Sequence, residues 1–475
     1  MKGFLGCDIG TTGTKTMLFD ENNNVLGRGY QGYGLFTPFE GAYEQNPEDW
    51  YSSLKQSIRE AVKNTDVEIK ALSLSAQGGS FFLADVVDEK IVPLTNALTW
   101  MDARAGAEYL ELVDEISPDE VYDIVGWKLG KGSAIARLRW LKKHDSANFD
   151  KAKLVLSTSD YVYYKLTGKS VIDYSSAAMM GMFSVKGLKY DSHLVELAKI
   201  TQDKLPKLVA TGEYLGEILP DVAKDLGLSE GVKVYAGAHD QYAASLGSNY
   251  FSKNDLLIST GTTWVIFGNS ETPVFNQHYL SSGVHPRGNY GVIKSAVSSG
   301  TVMEWTKKLI GEEFSVIDKE AAARPVDKGL MVYPFISGGG GWHGKGELNY
   351  SVKGAKMMHD KFDLSRATME GVAFEIKYLI DLYRKSGVID DKIIVAGGAA
   401  RSEIWMQILA SVLDKEVYIS NQADRCCFGA FSIAKKEYTQ QDFVKFEFDG
   451  RVVKPDKSVV EIYKEKYENY NKNLN

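Results

Sequence analysis

Phe4-Leu5-Gly6-Cys7-Asp8-Ile9-Gly10-Thr11-Thr12-Gly13-Thr14-Lys15-Thr16-Met17-Leu18-Phe19-Asp20 is the stretch from which the rest of the chain is read. An apolar run closes on Asp8-Ile9, a Gly-Thr-rich segment reaches Lys15, and a second apolar run ends at Asp20 before Glu21-Asn22-Asn23-Asn24. That order predicts strand, tight turn, strand, tight turn. Glycines let backbone amides turn toward an anion, threonine hydroxyls add donors, Lys15 adds a positive charge, and Asp8 at a strand end suits Mg²⁺ held through water. Together these parts suit a nucleotide phosphate. A Walker loop is excluded, because it needs adjacent Gly-Lys and a helix behind it, and the Gly-x-Gly start of a dinucleotide fingerprint is missing. A plain glycine-rich hairpin at a sheet edge fits the same residues.

The pattern returns in the second half. Asp255-Leu256-Leu257-Ile258-Ser259-Thr260-Gly261-Thr262-Thr263-Trp264-Val265-Ile266-Phe267-Gly268 is again apolar strand, Gly-Thr-Thr turn, apolar strand, with Gly10 and Gly261 lying 251 positions apart. With 475 residues and typical domains of roughly 150, the chain divides into two large lobes, with a boundary near Leu246 to Phe251. Between the hairpins, helices and strands alternate in the α/β manner. A helix is predicted from Asn46-Pro47-Glu48-Asp49-Trp50 to about Lys63, a strand from Ile69 to Ala76, and a helix from Ser133 to Leu141 with Ile135, Leu138 and Leu141 on one face. No period of 20 to 50 residues marks a solenoid.

Composition narrows the class. Apolar residues make up 44% and charged residues 25%, which excludes a disordered chain. The 55 Lys and Arg against 62 Asp and Glu give −7, with both signs interspersed, so neither nucleic acid nor an anionic membrane is an expected partner. Three cysteines, Cys7, Cys426 and Cys427, cannot build a disulfide framework and point to a reducing, cytoplasmic setting. No apolar run reaches 18 residues and no secretory leader is read at the start.

Three further constellations carry chemistry. Gly237-Ala238-His239-Asp240-Gln241-Tyr242 follows an apolar strand, and an aspartate there can take a proton from a hydroxyl, or simply cap a helix. Lys392-Ile393-Ile394-Val395-Ala396-Gly397-Gly398-Ala399-Ala400-Arg401-Ser402 is a buried strand and glycine turn before a helix, open to a flat base or a phosphate, or to close helix packing. Gln77-Gly78-Gly79-Ser80 and Trp100-Met101-Asp102-Ala103-Arg104 set polar groups beside an aromatic ring, as a sugar requires, although Asp102 and Arg104 also suit an ion pair. Cys426 and Cys427 read as small packed hydrophobes rather than metal ligands.

In this order the pieces resemble the FGGY carbohydrate kinases over essentially all 475 residues. Glu44-Gln45-Asn46-Pro47-Glu48-Asp49-Trp50 is similar to their Glu-Gln-x-Pro-x-x-Trp, and Trp100 to Arg104 to their Trp-x-Asp-x-Arg. Ser133 to Leu141 is similar to their first family pattern, with Arg137 where lysine is usual, and Glu370-Gly371-Val372-Ala373-Phe374 to a late helix. The resemblance implies an α/β fold of two ribonuclease-H-like lobes of the actin-like ATPase kind with an interlobe cleft. Residues 1–246 would form the sugar-binding lobe and 247–475 the adenosine-binding lobe. It also implies ATP and Mg²⁺, a small sugar or polyol acceptor, and a homodimer as the assembly common among relatives. The family roles fall on Asp8 for the metal and on Thr11, Thr12, Lys15, Gly261 and Thr262 for the phosphates. Gly397, Gly398 and Ala399 take the adenosine, Asp240 is the base, and Gln77, Gly78, Trp100, Asp102, Asp240 and Gln241 surround the acceptor.

Departures bear on the acceptor. Xylulokinases read Gln-Met-His-Gly where this chain has Gln77-Gly78-Gly79-Ser80, and many relatives read Ser-Gly-Glu-Arg near Ser337-Gly338-Gly339-Gly340-Gly341-Trp342-His343. The Asp240-Gln241 pairing resembles glycerol kinases, whose Arg-Glu pair has no counterpart at Gly78-Gly79. A ketopentose such as xylulose is the acceptor expected, with another ketose, polyol or sugar acid as the alternative. An actin-like ATPase without a sugar acceptor is the reading from another class.

Overall fold

The protein, as a computed structural model, is described at every residue except Phe251, Val297, Ser337, 339–342, 344–347 and Asn475, together with the side chain of Asn473. It forms two compact units. The first comprises Met1–Asn249, Ser281–Tyr290 and Asp424–Phe446, and the second Tyr250–Leu280, Gly291–Ala423 and Glu447–Asn475.

The first unit is built on a six-stranded sheet in the order Tyr214–Glu217, Lys233–His239, Glu68–Ala76, Lys2–Ile9, Gly13–Asp20, Val25–Gly32. Phe4, Leu5, Cys7 and Ile9 are all buried, as a central strand covered on both faces must be. Lys2–Ile9 and Gly13–Asp20 form the antiparallel hairpin expected from the opening stretch. The turn is shorter than the sequence suggests: Gly10 N–H bonds Gly13 O at 3.1 Å, so Thr14 and Lys15 already belong to the second strand and Lys15 stands opposite Asp8. Three neighbouring strands, Lys2–Ile9, Glu68–Ala76 and Lys233–His239, run parallel. Their carboxyl ends therefore deliver Asp8, Gln77 and Asp240 to one edge, the edge where α/β sheets place ligands.

Local signals place the helices. Asn46 accepts from Glu48 N–H at the start of Pro47–Val62, Pro47 takes the first helical position, and Trp50, Leu54 and Ile58 recur every four residues on the buried face. Ser133 caps Ala134–His144 in the same way. Arg425–Thr439, although late in the chain, lies in the first unit, where Phe431 stacks on Phe19 at 4.0 Å and Phe428 meets the same ring edge-on at 4.9 Å. Such ring pairs add about 0.5–1.5 kcal/mol each beyond burial.

The second unit repeats the plan. Leu256–Thr260 and Trp264–Ser270 form an antiparallel hairpin, and Ile393–Gly397 runs parallel to the first of them and to Val417–Ser420. The segment Glu370–Phe374 lies inside the helix Lys361–Lys385, whose start is fixed by a capping box between Asp360 and Asp363. Glu370 is buried there and accepts from Lys466 Nζ at 2.5 Å and Arg366 Nε at 3.1 Å, tying the C-terminal helix Lys457–Leu474 to it. Among the described residues no helix is long and apolar enough to cross a membrane.

Candidate active site

The tip of the first hairpin has its carbonyls drawn back. Tyr33 OH donates to Gly10 O, Gln45 Nε2 to Thr11 O at 2.6 Å, and Tyr33 N–H to Thr12 O at 3.2 Å. With the acceptors held on the protein side, the tip presents Thr11 and Thr12 with their donors available to an anion. Lys15 Nζ pairs with Asp424 Oδ1 at 2.7 Å, and Arg28 reaches the other oxygen at 3.4 Å. Partial burial pulls the Lys15 ammonium down, but the Asp424 hydrogen bond and charge outweigh it and raise it.

Asp8 accepts from Ser75 Oγ at 2.8 Å. Burial, and next the charge of Asp240, push its carboxyl up to about 7 against the opposing Ser75 bond and Lys15. Asp240 is the first residue of the helix Asp240–Gly247; the capping position belongs to His239, and no side chain caps that end. The capping alternative for Asp240 is thus removed. Its Oδ1 is buried without a hydrogen-bond partner, and His239 Nε2 lies 3.2 Å away. His239 itself is placed by its N–H bond to Ser175 Oγ at 2.9 Å, which in turn donates to buried Asp173 at 2.5 Å. Gln241, in the same first turn, is half-buried.

Gln77 is buried, its Nε2 donating to Gln45 Oε1 at 2.8 Å, while Trp50 Nε1 donates to the same oxygen at 3.0 Å. Gln77 Oε1 is left buried without a hydrogen-bond partner, an acceptor with capacity to spare. Trp100 is 51% exposed, with Nε1 donating to Thr11 Oγ1 at 3.2 Å, so an open indole face adjoins the hairpin tip. Asp102 stands apart from this group: it is fully buried and its carboxylate takes Arg104 Nε at 2.9 and 3.0 Å and Tyr43 N–H at 2.8 Å. Arg104 also binds Glu44 at 2.7 Å, so Asp102 acts here as the core of an ion pair.

Within the second unit, Gly261 and Thr262 form the tip of the other hairpin, and Thr262 O accepts from Thr301 N–H at 2.9 Å. Gly397 lies beside them, since Thr260 pairs with Gly397 and Gly398 N–H bonds Thr260 O at 2.9 Å. Gly397 has φ +121°, a conformation open to glycine alone, and it turns the chain into Gly398 and Ala399. Ser402 then caps Glu403–Leu413.

Residues 4–247 match the N-terminal domain of the FGGY family of carbohydrate kinases, and residues 256–436 match its C-terminal domain. The chain belongs to the FGGY family of carbohydrate kinases. It is an ATP-dependent carbohydrate kinase. The gluconokinase of Bacillus subtilis (strain 168) is 28% identical over 90% of this chain and 86% of its own, and the xylulose kinase of the same strain is 26% identical over 91% and 88%. The crystal structure of xylulose kinase from Rhodospirillum rubrum superposes with a TM-score of 0.91 at 24% identity, covering 99% of this chain and 98% of that one. The FGGY kinase therefore has the actin-like ATPase fold.

Three positioning residues of this FGGY kinase escaped sequence reading as site residues. Gln45 joins the hairpin tip to Gln77, and in the sequence it stands out only as part of the Glu44 to Trp50 motif. Arg137 is fully buried and donates to Gly79 O at 2.6 Å, Leu98 O at 2.8 Å and Thr99 O at 2.7 Å, joining the loop at Gln77 to Ser80 with that at Leu98 to Thr99. Burial pushes its guanidinium down to about 10. A cation on the buried helix face was the available signal. Asp424 is 409 positions from Lys15, and no spacing rule could pair them. The departure at Ser337 to His343 lies outside the described residues except for Gly338 and His343.

Proposed function

We propose that this kinase transfers the γ-phosphoryl group of ATP to a hydroxyl of a ketopentose such as xylulose, with Asp240 as general base. The observation that carries the reading is Asp240 Oδ1, a buried carboxylate oxygen with no hydrogen-bond partner at the carboxyl end of a parallel strand, two strands from Asp8. Phosphoryl transfer asks the protein for positioning and for neutralisation of spreading negative charge. Thr11, Thr12 and Lys15 meet the phosphates, Lys15 leaving Asp424 for them. Gly261 and Thr262 of the second unit take the matching role, and Gly397, Gly398 and Ala399 take the adenosine. Asp240 orients the attacking hydroxyl and receives its proton, while Gln77, Gly78, Trp100 and Gln241 hold the sugar, the indole covering its C–H face.

The donor set fits Mg²⁺ at Asp8, since a carboxyl raised by burial and by a neighbouring carboxylate is relieved by a cation. Among the described residues no group of three or more His, Cys, Asp or Glu is placed to hold a metal, as suits an ion that leans on substrate phosphates and water. When bound, Mg²⁺ supplies charge neutralisation on the transferred group. The three free thiols agree with a cytoplasmic setting.

Xylulose kinases among the relatives and structural neighbours support the ketopentose; the gluconokinase relative favours a sugar acid as the second reading. The test is ADP release with ATP and Mg²⁺ across ketoses, aldoses, polyols and sugar acids, against a no-sugar control. Strong stimulation by xylulose is expected. Stimulation by gluconate alone would select the second reading, and release indifferent to every sugar would contradict both.

A further inference from the structure

His239 lies between the first acceptor-side loop and the base. A methyl group added at Gly78 would sit 2.7 Å from His239 Nε2 and closer still to His239 Cδ2, with Met179 Cγ at 2.5 Å. Real contacts of that kind force something to move. The ring edge carrying Nε2 thus occupies the space of a side chain at position 78, and the same nitrogen is 3.2 Å from Asp240 Oδ1. His239 Nδ1 is buried without a hydrogen-bond partner, so a hydrogen on it would find no acceptor. The neutral tautomer assigned from these surroundings carries its hydrogen on Nε2, the nitrogen beside the base. Two oxygens on adjacent carbons of a sugar span about the reach between a carboxylate and a donor standing next to it.

Resting on the acceptor reading above, we propose that His239 is a specificity-determining residue. Its Nε2–H donates to the acceptor oxygen on the carbon next to the hydroxyl held by Asp240, and residue 78 is glycine because the imidazole needs its space. The ligand class is a polyhydroxy acceptor with that neighbouring oxygen present.

The experiment uses the sugar that most stimulates ADP release and its analogue lacking the neighbouring oxygen. A site built around such a hydrogen bond discriminates strongly against the analogue. His239→Ala is expected to lower kcat/KM for the complete sugar by at least about tenfold, to leave the deoxy analogue within about twofold, and to leave KM for ATP unchanged. Gly78→Ala, which keeps His239 and crowds it, is expected to lower kcat/KM for the complete sugar more than for the deoxy analogue, and to add little to the loss on the complete sugar in the His239→Ala background. His239→Gln, which restores an N–H donor, is expected to recover part of the loss. Equal losses on both sugars, or a Gly78→Ala loss that adds in full, would overturn the assignment. A wild-type protein without sugar-dependent ADP release would overturn the acceptor reading and this one together, whereas an active wild type with additive losses would overturn this one alone.

Discussion

Asp8 concentrates the electrostatic cost of this site. Burial and the Asp240 charge raise its carboxyl to about 7, above the ordinary carboxylate value. Between about pH 4 and pH 7 the folded state therefore binds more protons than the unfolded chain, so this group's contribution to stability is present at low pH and falls as pH rises through that window. Asp8→Asn removes the penalty while keeping an acceptor for Ser75. Without Mg²⁺ it is expected to be more stable than wild type by on the order of 2 kcal/mol at pH 8, after discounting for partial solvent access, with the gain reduced to less than half of that at pH 5. Calorimetric melting at the two pH values checks this. An equal difference at both would mean that Asp8 is not the titrating group.

The elements hold the site through backbone carbonyls. Arg137, on Ala134–His144, satisfies three of them from the loops after Glu68–Ala76 and around Ala97–Leu98. Arg137→Ala would strip the guanidinium donors from those buried oxygens, of which Thr99 O keeps its bond from Asp102 N–H at 2.9 Å, so a loss of roughly 3–5 kcal/mol is expected in denaturant unfolding. Arg137→Lys should recover only part, because a point charge cannot replace a planar fork of donors. A loss below about 1 kcal/mol for the alanine variant would contradict that account. Most of these elements were legible in the sequence, because period and caps act locally: Asn46-Pro47 and Ser133 mark helix starts that the structure reproduces. The hairpin was legible in kind but not in length, since pairing of Thr14 and Lys15 across the sheet outweighs the turn-forming look of Gly13-Thr14. Partners distant in sequence were not legible. Lys15 with Asp424 and Glu370 with Lys466 meet only after the chain has folded, whereas the ion pair of Asp102 with Arg104, two residues apart, is one of the two readings open in the sequence.

Across the whole molecule, a hairpin beside parallel strands occurs once in each unit, and the doubled Gly-Thr-Thr turn was its signature in the sequence. The first copy brings Asp8, Gln77 and Asp240 to the carboxyl ends of neighbouring strands; the second brings Gly261 and Thr262 next to Gly397. The central claim is that Asp240 takes the acceptor proton. The most direct measurement compares wild type with Asp240→Asn for transfer of the γ-phosphoryl group to the acceptor, alongside the rise in melting temperature that saturating ATP produces. The account predicts that kcat falls by two to four orders of magnitude, about what loss of a general base costs, while the ATP-induced rise is kept. Near-wild-type transfer by Asp240→Asn would contradict it.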